Sequence, residues 1–256
     1  MESLKGKVAV ITGGADGIGR ASAKLLSSKG SRIIIADVDE ERAEETLKLV
    51  RESGGKIEFI KTDVTKLTDV EKMIDFAVEK FGSIDVLFNN AGIAIVKPLL
   101  EHDPEKDFKP VLDVNLYGVY NGILAGARKM KELGVKGVII NTASGYAFMA
   151  PEGMMGYHVS KTAVLALTRA SALELSPHDI RVLSLVPGWA NTKIVEPTKE
   201  AGNLDNVLNE LMRKKLLEPE EIAQVVAFMA SDESSAMNGS AIHADDGYGS
   251  FKAHWN

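Results

Sequence analysis

A tyrosine and a lysine four residues apart, Tyr157 and Lys161, form the pair in this sequence best suited to proton transfer. On a helix, this spacing places both side chains on one face, about one turn apart. A phenol ordinarily keeps its proton up to a pH of about 10. A neighbouring ammonium group favours the phenolate, so we expect Lys161 to lower the pKa of Tyr157. Such a phenol could exchange a proton with an alcohol or a carbonyl near neutral pH, and Ser144 could hydrogen-bond the same substrate oxygen.

A glycine-rich turn near the start of the chain could hold a partner for this proton chemistry. It reads Thr12-Gly13-Gly14-Ala15-Asp16-Gly17-Ile18-Gly19 and separates a predicted strand at residues 7–11 from a predicted helix at 20–29, which Gly30 ends. Glycines let the backbone approach a pyrophosphate, and a helix N-terminus supplies N–H donors and a positive dipole end. The order strand, turn, helix favours a dinucleotide site. A tight turn that binds no ligand is the alternative.

An acidic residue ends the second predicted strand, which covers residues 32–36. This residue, Asp37, lies 18 positions after Gly19, close to the roughly 20 expected for the acid that binds ribose in a dinucleotide fold. A carboxylate here can accept hydrogen bonds from ribose hydroxyls and would repel a 2′-phosphate, and no basic residue follows directly, so NAD is favoured over NADP. Asp37 could instead cap the helix that begins near Glu40, but Asp39 can serve as that cap.

Polar and small residues follow the next two predicted strands, at residues 57–61 and 84–88. After the first comes Asp63, which could bond an adenine amino group or cap the next helix, a role for which Thr65 competes. After the second comes the run Asn89-Asn90-Ala91-Gly92, where small residues allow a cofactor to lie close. We expect Asn89 to be structural and Asn90 to touch the cofactor.

An asparagine lies within a long predicted helix at residues 104–133. Asn115 falls on an apolar face, so it would be buried and would require hydrogen-bond partners. From spacing alone, it could serve the proton path or simply satisfy an irregularity of the helix.

Strands and helices alternate along the whole chain. Further strands are predicted at residues 136–141, 180–186 and 240–244, and further helices at 40–52, 67–81, 157–175 and 218–229. Seven strands with intervening helices predict a doubly wound parallel sheet of the Rossmann type, α/β in class, with helices on both faces and a single domain over residues 1–256. The one long excursion predicts a substrate lid at about 191–217; packing against another subunit is the alternative.

Composition excludes several classes of protein. The chain has 256 residues, 45% of them hydrophobic, a formal net charge of −6 and no cysteine. We therefore expect no disulfide, no metal site, and no nucleic-acid or anionic-membrane surface. No signal peptide is recognised, and no apolar run approaches the roughly 20 residues that cross a bilayer. A soluble cytoplasmic protein is expected.

With these residues together, the sequence resembles the short-chain dehydrogenase/reductase family, in the group with a TGxxxGxG cofactor turn. The resemblance runs from Lys7 to about Gly247. It is carried, in order, by Thr12 to Gly19, Asp37, Asp63, Asn89 to Gly92, Asn115, Ser144, Tyr157 with Lys161, and Pro187-Gly188 with Thr192. Two features depart from the family: the tail reads Asp245-Asp246-Gly247-Tyr248, where many relatives have a Gly-Gly pair, and His158 follows Tyr157.

The resemblance implies catalytic roles for Asn115, Ser144, Tyr157 and Lys161. Tyr157 would be the general acid/base, Lys161 would lower its pKa and bind the nicotinamide ribose, Ser144 would hold the substrate oxygen, and Asn115 would order a water. The predicted cofactor-binding residues are Gly13, Asp16, Gly17, Ile18, Gly19, Asp37, Asp63, Val64, Asn90, Ala91, Gly92, Tyr157, Lys161, Pro187, Gly188 and Thr192. Family members commonly form tetramers through the helices after strands four and five, so a homotetramer is expected.

We therefore predict an NAD(H)-dependent oxidoreductase that interconverts a small, apolar secondary alcohol and a ketone. The predicted substrate contacts are Ser144, Tyr146, Met149, Met154 and Trp189, with Leu208, Leu211 and Met212 from the lid. A 3-oxoacyl-carrier-protein reductase that uses NAD(P)H is the alternative enzyme. A cofactor-sensing module without catalysis is the alternative from another class, and the Tyr157–Lys161 pair argues against it.

Overall fold

A computed structural model describes residues 2–250 of the chain, where seven parallel strands form one sheet. Residues 1 and 251–256, which the predicted domain includes, lie outside the described residues. The strands are β1 (Val8–Thr12), β2 (Arg32–Asp37), β3 (Ile57–Lys61), β4 (Val86–Asn89), β5 (Val138–Thr142), β6 (Arg181–Pro187) and β7 (Ala241–Ala244). They lie in the order β3-β2-β1-β4-β5-β6-β7, and every neighbouring pair is parallel. The predicted fold class is confirmed.

Apolar side chains on both faces of the sheet explain why its central strands are continuous hydrophobic runs. Along β1, Ala9 and Ile11 belong to one buried cluster and Val8 and Val10 to the other. This alternation follows from the two-residue period of a strand. A parallel sheet buried on both faces needs helices on both sides.

Five α-helices begin and end within about three residues of their predicted limits. They are α1 (Gly17–Ser28), α2 (Glu40–Glu52), α3 (Leu67–Phe81), α6 (Met155–Leu175) and α9 (Pro219–Ala230), numbered in chain order. The predicted helix at 104–133 contains the separate α4 (Lys109–Leu112) and α5 (Gly118–Leu133), and the lid contains two short helices that were not predicted, α7 (Glu196–Glu200) and α8 (Leu204–Glu210). Asp39 caps α2, since its Oδ1 accepts a hydrogen bond from the Arg42 amide at 3.1 Å. Asp37 is therefore not needed as the cap of this helix.

The segment from 104 to 133, predicted as one helix, is interrupted. Two π-helical turns, Pro104–Phe108 and Asp113–Tyr117, lie on either side of the short α4, and only then does regular α5 begin. Proline has no N–H to donate within a helix, so Pro110 contributes to the irregular start. Single π turns inside helices often lie at functional sites, and Asn115 lies in the second one.

The chain order places a crevice at the carboxyl ends of β1 and β4. These strands are neighbours, but the chain leaves them toward opposite edges of the sheet, and ligands of open α/β sheets bind at such a switch point. The excursion between β6 and α9 is closed at its base by two backbone hydrogen bonds, Asn191 N to Leu217 O at 2.8 Å and Leu217 N to Trp189 O at 2.9 Å. Between residues 2 and 250, no helix has the length and apolar character to cross a membrane.

Candidate active site

A cleft of about 540 Å³ opens at the carboxyl ends of the central strands. Every predicted cofactor-binding residue except Gly19 lines it. Of the predicted catalytic and substrate residues, it is lined by Ser144, Tyr146, Met154, Tyr157, Lys161 and Trp189. Asn115 and Met149 are described residues that do not line it. One continuous space thus joins the glycine-rich turn to the Tyr157–Lys161 pair.

The glycine-rich turn is fixed by close backbone contacts. A Cβ atom on Gly13, where φ is +64°, would lie 2.9 Å from Ala91 Cα, and one on Gly19 would lie 2.0 Å from the Gly13 carbonyl oxygen. Gly19 therefore shapes the turn from beneath, which explains why it does not line the cleft. Asp16 accepts the Gly17 amide at 2.7 Å and caps α1, whose N-terminus faces the cleft.

Asn90 holds the glycine-rich turn against the end of β4. Its Nδ2 donates to the carbonyl oxygens of Thr12 at 3.1 Å and Gly13 at 3.2 Å. Asn89 points elsewhere: it is buried, and its Nδ2 donates to Asn141 Oδ1 at 2.9 Å. Asn89 thus bonds within the core, whereas Asn90 holds the glycine-rich turn and lines the cleft.

Carboxylates line the far end of the cleft. Asp37 accepts the amides of Ala15 and Asp39, one on each oxygen and both at 3.1 Å, so it holds the glycine-rich turn as well as facing the cleft. A cation that sequence reasoning missed lies at this corner. Arg42 bonds Asp16 at 2.8 Å and lies 3.4 Å from Asp39. Its signal was a basic residue in the first turn of α2.

Asp63 lines the cleft but does not cap the next helix. Its Oδ1 accepts the amide of Thr65 at 3.1 Å and the hydroxyl of Thr65 at 2.7 Å. The hydroxyl bond is the main cause of the lowered pKa of Asp63. Helix α3 instead begins after Lys66, which forms no side-chain cap. Asp63 and Thr65 were the two candidates for the cap of α3, and neither of them caps it.

The Tyr157–Lys161 pair lies on α6, but the lysine is anchored elsewhere. Its Nζ donates to the Thr142 carbonyl oxygen at 2.8 Å and lies 5.6 Å from the centre of the Tyr157 ring. Burial lowers the pKa of Lys161 to about 8. Burial also raises the pKa of Tyr157, and the hydrogen bond with Ser144 opposes this rise. The net shift of the Tyr157 pKa is upward, because the cost of burying the phenolate dominates. The lowering that Lys161 is expected to cause stays a prediction.

Asn115 supports the loop that follows β4. Its side chain exchanges two hydrogen bonds with the backbone of Ile93, both of 2.9 Å, and donates to Ser160 Oγ at 3.2 Å. A Cβ atom on Gly92 would lie 3.3 Å from Asn115 Oδ1 and 3.4 Å from Lys161 Nζ. Asn115 thus lies beside the lysine while its own polar atoms fix the loop. A role in ordering water stays a prediction.

The substrate end of the cleft combines predicted and missed residues. Tyr146, Met154 and Trp189 line it as predicted. The lining residues that sequence reasoning missed include Ile93, Val96, Ile194 and Tyr248. Among described residues of the lid, lining comes from its first part, Thr192 to Val195 with Pro197 and Thr198, and not from Leu208, Leu211 or Met212. The one signal for Tyr248 was the unusual tail in which it lies.

His158 supports the same end from outside. Its Nδ1 lies 2.6 Å from the backbone carbonyl oxygen of Tyr146. This contact ties α6 to the turn that follows β5 and gives His158 a positioning role.

The residues of the cleft fit a nicotinamide dinucleotide. Glycines let backbone approach at one point, the α1 N-terminus offers donors for phosphate groups, and carboxylates at the far end suit ribose hydroxyls. Thr142, whose carbonyl oxygen holds Lys161, lines the cleft, and its buried Oγ1 has no hydrogen-bond partner among the described residues. Buried polar atoms are ordinarily bonded, so this hydroxyl suits a polar ligand group.

Three comparisons with known proteins agree with this arrangement. Residues 13–249 match a family profile described as enoyl-(acyl carrier protein) reductase. The chain is 39% identical to L-2,3-butanediol dehydrogenase of Corynebacterium glutamicum, over 94% of this chain and 98% of that protein. It is 35% identical to a 3-oxoacyl-[acyl-carrier-protein] reductase of Thermotoga maritima, over 95% and 98%. A crystal structure of a short-chain type dehydrogenase/reductase from Mycobacterium marinum superposes with a TM-score of 0.92 at 35% identity, over 96% and 97%.

Proposed function

Because this chain belongs to the short-chain dehydrogenase/reductase family of oxidoreductases, we propose that it interconverts a small secondary alcohol and a ketone with NAD. The observation that carries the proposal is the meeting of Ser144, Tyr157 and Lys161 in one cleft with the glycine-rich turn. A proton-transfer group and a site for a nicotinamide dinucleotide then serve the same substrate.

In alcohol oxidation, Tyr157 accepts the hydroxyl proton while the C–H bond breaks and the C–O bond becomes C=O. NAD, when bound, supplies the acceptor for the hydride. In ketone reduction, Tyr157 returns the proton to the oxygen. Burial raises the pKa of Tyr157, so the phenol is protonated near neutral pH and carries the proton that ketone reduction requires. Ser144, hydrogen-bonded to Tyr157, orients the substrate oxygen.

Lys161 and Asn115 support Tyr157 and Ser144. Lys161 places a buried cation next to the Tyr157 ring, held by the carbonyl oxygen of Thr142. Such a cation would stabilise negative charge that develops on the phenol oxygen during alcohol oxidation. Asn115 holds the Ile93 loop, which forms part of the cleft wall.

The charges at the far end of the cleft support NAD over NADP. Asp37 lines the far end of the cleft, where its carboxylate would accept bonds from the ribose hydroxyls of NAD and would repel the 2′-phosphate of NADP. Arg42 could neutralise such a phosphate, but Asp16 and Asp39 already hold it. The proposed preference follows from the balance of three carboxylates, those of Asp16, Asp37 and Asp39, against the one guanidinium of Arg42.

A homo-oligomer, with a tetramer as the specific proposal, also follows from family membership. Exposed apolar side chains support it: Leu173 on α6 is 77% exposed, and Val159 and Tyr117 are exposed as well. Oligomer formation would remove such surface from water.

The Tyr157→Phe variant tests the catalytic proposal. We expect kcat/KM with NAD to fall about 100- to 10,000-fold across a panel of secondary alcohols and ketones, because the proton carrier is lost while the ring remains. Tyr120→Phe, which changes an exposed tyrosine, is the matched control and should keep parent activity. Undiminished turnover by Tyr157→Phe would contradict the mechanism. A parent that reduces only 3-oxoacyl carrier-protein substrates would instead support the alternative function.

A further inference from the structure

Three aromatic side chains form one wall at the substrate end of the cleft. Tyr146, Trp189 and Tyr248, here called the aromatic wall, all line the cleft. Tyr146 packs edge to face against Trp189 at 5.9 Å and against Tyr248 at 6.1 Å between ring centres. The three residues come from the turn after β5, the segment after β6 and the tail, so the fold brings together three distant parts of the chain here.

The polar atoms of the aromatic wall make only long hydrogen bonds to other protein atoms. The hydroxyls of Tyr146 and Tyr248 lie 3.5 Å apart, and the Tyr248 hydroxyl lies 3.3 Å from Glu210 Oε2, both long for O–H···O bonds. The buried indole N–H of Trp189 interacts with the Tyr146 hydroxyl, a contact that opposes the rise in the pKa of Tyr146, but it makes no hydrogen bond of full geometry within the described residues. An unsatisfied buried donor costs free energy, so this wall suits a ligand that accepts hydrogen bonds.

The Tyr146 hydroxyl of the wall remains protonated across the physiological range. Burial raises the pKa of Tyr146 strongly, and the nearby Tyr248 hydroxyl adds to the rise. The indole N–H can only donate. A neutral oxygen that accepts hydrogen bonds therefore fits this wall better than a cation does.

The tail is held in place on both sides of Tyr248. The buried Asp245 carboxylate accepts the amides of Gly247 at 3.1 Å and Gly249 at 3.0 Å. Asp246 forms an ion pair with Arg213 Nε at 2.9 Å, which ties the tail to the end of the lid. Tyr248 is thus carried by a folded and anchored turn.

We propose that the aromatic wall binds a second oxygen of the substrate, a hydroxyl or carbonyl close to the reacting carbon. The substrate class is then a short diol, hydroxyketone or diketone. Ser144 Oγ accepts the Tyr146 amide at 3.1 Å, so the residue that holds the reacting oxygen and the first residue of the wall are joined directly. This proposal rests on the proposed function and names its substrate class.

Paired substrates that differ by one hydroxyl test the proposal. We would measure kcat/KM of the full chain with NAD for 2,3-butanediol and 2-butanol, which share a carbon skeleton. The parent should prefer the diol at least about tenfold, as one hydrogen bond in a buried site permits. Tyr146→Phe and Tyr248→Phe should each lower this ratio severalfold. The matched control, Tyr120→Phe, removes an exposed hydroxyl and should keep the ratio. Equal kcat/KM for the two alcohols in the parent, or an unchanged ratio in both variants, would overturn the proposal.

Binding without turnover separates this proposal from the proposed function. Calorimetric titration of the same two alcohols into Tyr157→Phe with NADH should show tighter binding of the diol, and adding Tyr248→Phe should reduce that difference. Loss of diol preference in binding would overturn the aromatic wall as a second-oxygen site. A retained preference in a protein that turns over no alcohol or ketone would support the wall and contradict only the proposed reaction.

Discussion

The two halves of the cleft are built in different ways. In the cofactor half, which comprises the glycine-rich turn, Asp37 and Asn90, polar side chains bond to backbone at 2.7–3.2 Å, and an added methyl group at Gly19 would collide. In the substrate half, formed by the aromatic wall and the first part of the lid, side chains meet side chains at 3.3–3.5 Å. One buried donor there, the indole N–H of Trp189, makes no hydrogen bond of full geometry within the described residues.

This difference separates what the fold fixes from what the individual chain decides. Backbone-held geometry suits a ligand that is the same throughout a family, since few substitutions are compatible with it. A wall of side chains from separate loops can change without disturbing the sheet. We therefore expect variants of the cofactor half to affect every substrate alike, and variants of the substrate half to affect substrates differently.

Lys161 lies at the border of the two halves, and its burial predicts the largest of the remaining effects. A fall in pKa from 10.5 to about 8 corresponds to about 3 kcal/mol of destabilisation while the lysine is charged. Below pH 8 the lysine is protonated in the folded and unfolded states, so this cost is fully present. Between pH 8 and 10.5 the unfolded state binds more protons than the folded state, so the free energy of unfolding rises with pH.

Urea unfolding of the parent and of Lys161→Met measures this cost. From pH 8 to 9.5, the parent should gain about 1.5 kcal/mol relative to the variant, which has no proton to lose at this position. The matched control is Lys24→Met, which replaces an exposed lysine and should show a constant difference from the parent. If the difference in unfolding free energy between the parent and Lys161→Met does not vary with pH, the pKa of Lys161 is not lowered by burial.

The charged residues at the far end of the cleft, Asp16, Asp37, Asp39 and Arg42, predict the next largest effect, a change in cofactor preference. Asp16→Ser keeps a side chain that can cap α1 but removes the nearer of the two carboxylates that hold Arg42, leaving Asp39 at 3.4 Å. A guanidinium with one partner fewer can bond a 2′-phosphate, and a hydrogen bond to a charged group is worth about tenfold in affinity or more. We expect the ratio of kcat/KM with NADP to that with NAD to rise about tenfold. Asp37→Ser should move the same ratio in the same direction.

Two further variants decide which charge is responsible. In the double variant Asp16→Ser with Arg42→Gln, the gain with NADP should largely disappear, because the cation that would bind the phosphate is gone. Glu58→Gln removes a carboxylate that pairs with Arg51 rather than Arg42 and is the matched control. A parent that already prefers NADP would contradict the assignment of Asp37.

Sequence reasoning succeeded where one local pattern reports one local geometry. The strand, glycine turn and helix around Gly13 to Gly19 form a contiguous unit, so their spacing alone predicts the turn and its place at a strand end. The alternation of strands and helices predicted the sheet for the same reason. The interrupted helix near Asn115 was missed, because a π turn leaves no mark in hydrophobic periodicity over so few residues.

The substrate half could not be predicted to the same depth, for a physical reason. Tyr248 lies 102 residues from Tyr146 in the chain, and nothing in either neighbourhood specifies that the two rings meet. The altered pKa of Tyr157 was missed similarly, since spacing gives the neighbouring Lys161 but not the depth of burial. Met149, close in sequence to Tyr146, does not line the cleft, which shows that proximity along a loop is a poor guide to direction.

The contact between lid and tail predicts the smallest effect and tests whether the substrate half depends on its anchors. Arg213 pairs with Asp246 beside Tyr248 and with Glu221 on α9, both at 2.9 Å. Arg213→Gln should loosen the turn that carries Tyr248. Exposed ion pairs contribute little stabilising free energy, so the expected effect is small. We expect KM for the alcohol to rise about two- to fivefold, with the Kd of NADH unchanged. Lys48→Gln, which removes an exposed pair on α2, is the matched control. An equal loss of NADH affinity in Arg213→Gln would mean that the two halves are coupled, and that the separation drawn between them does not hold.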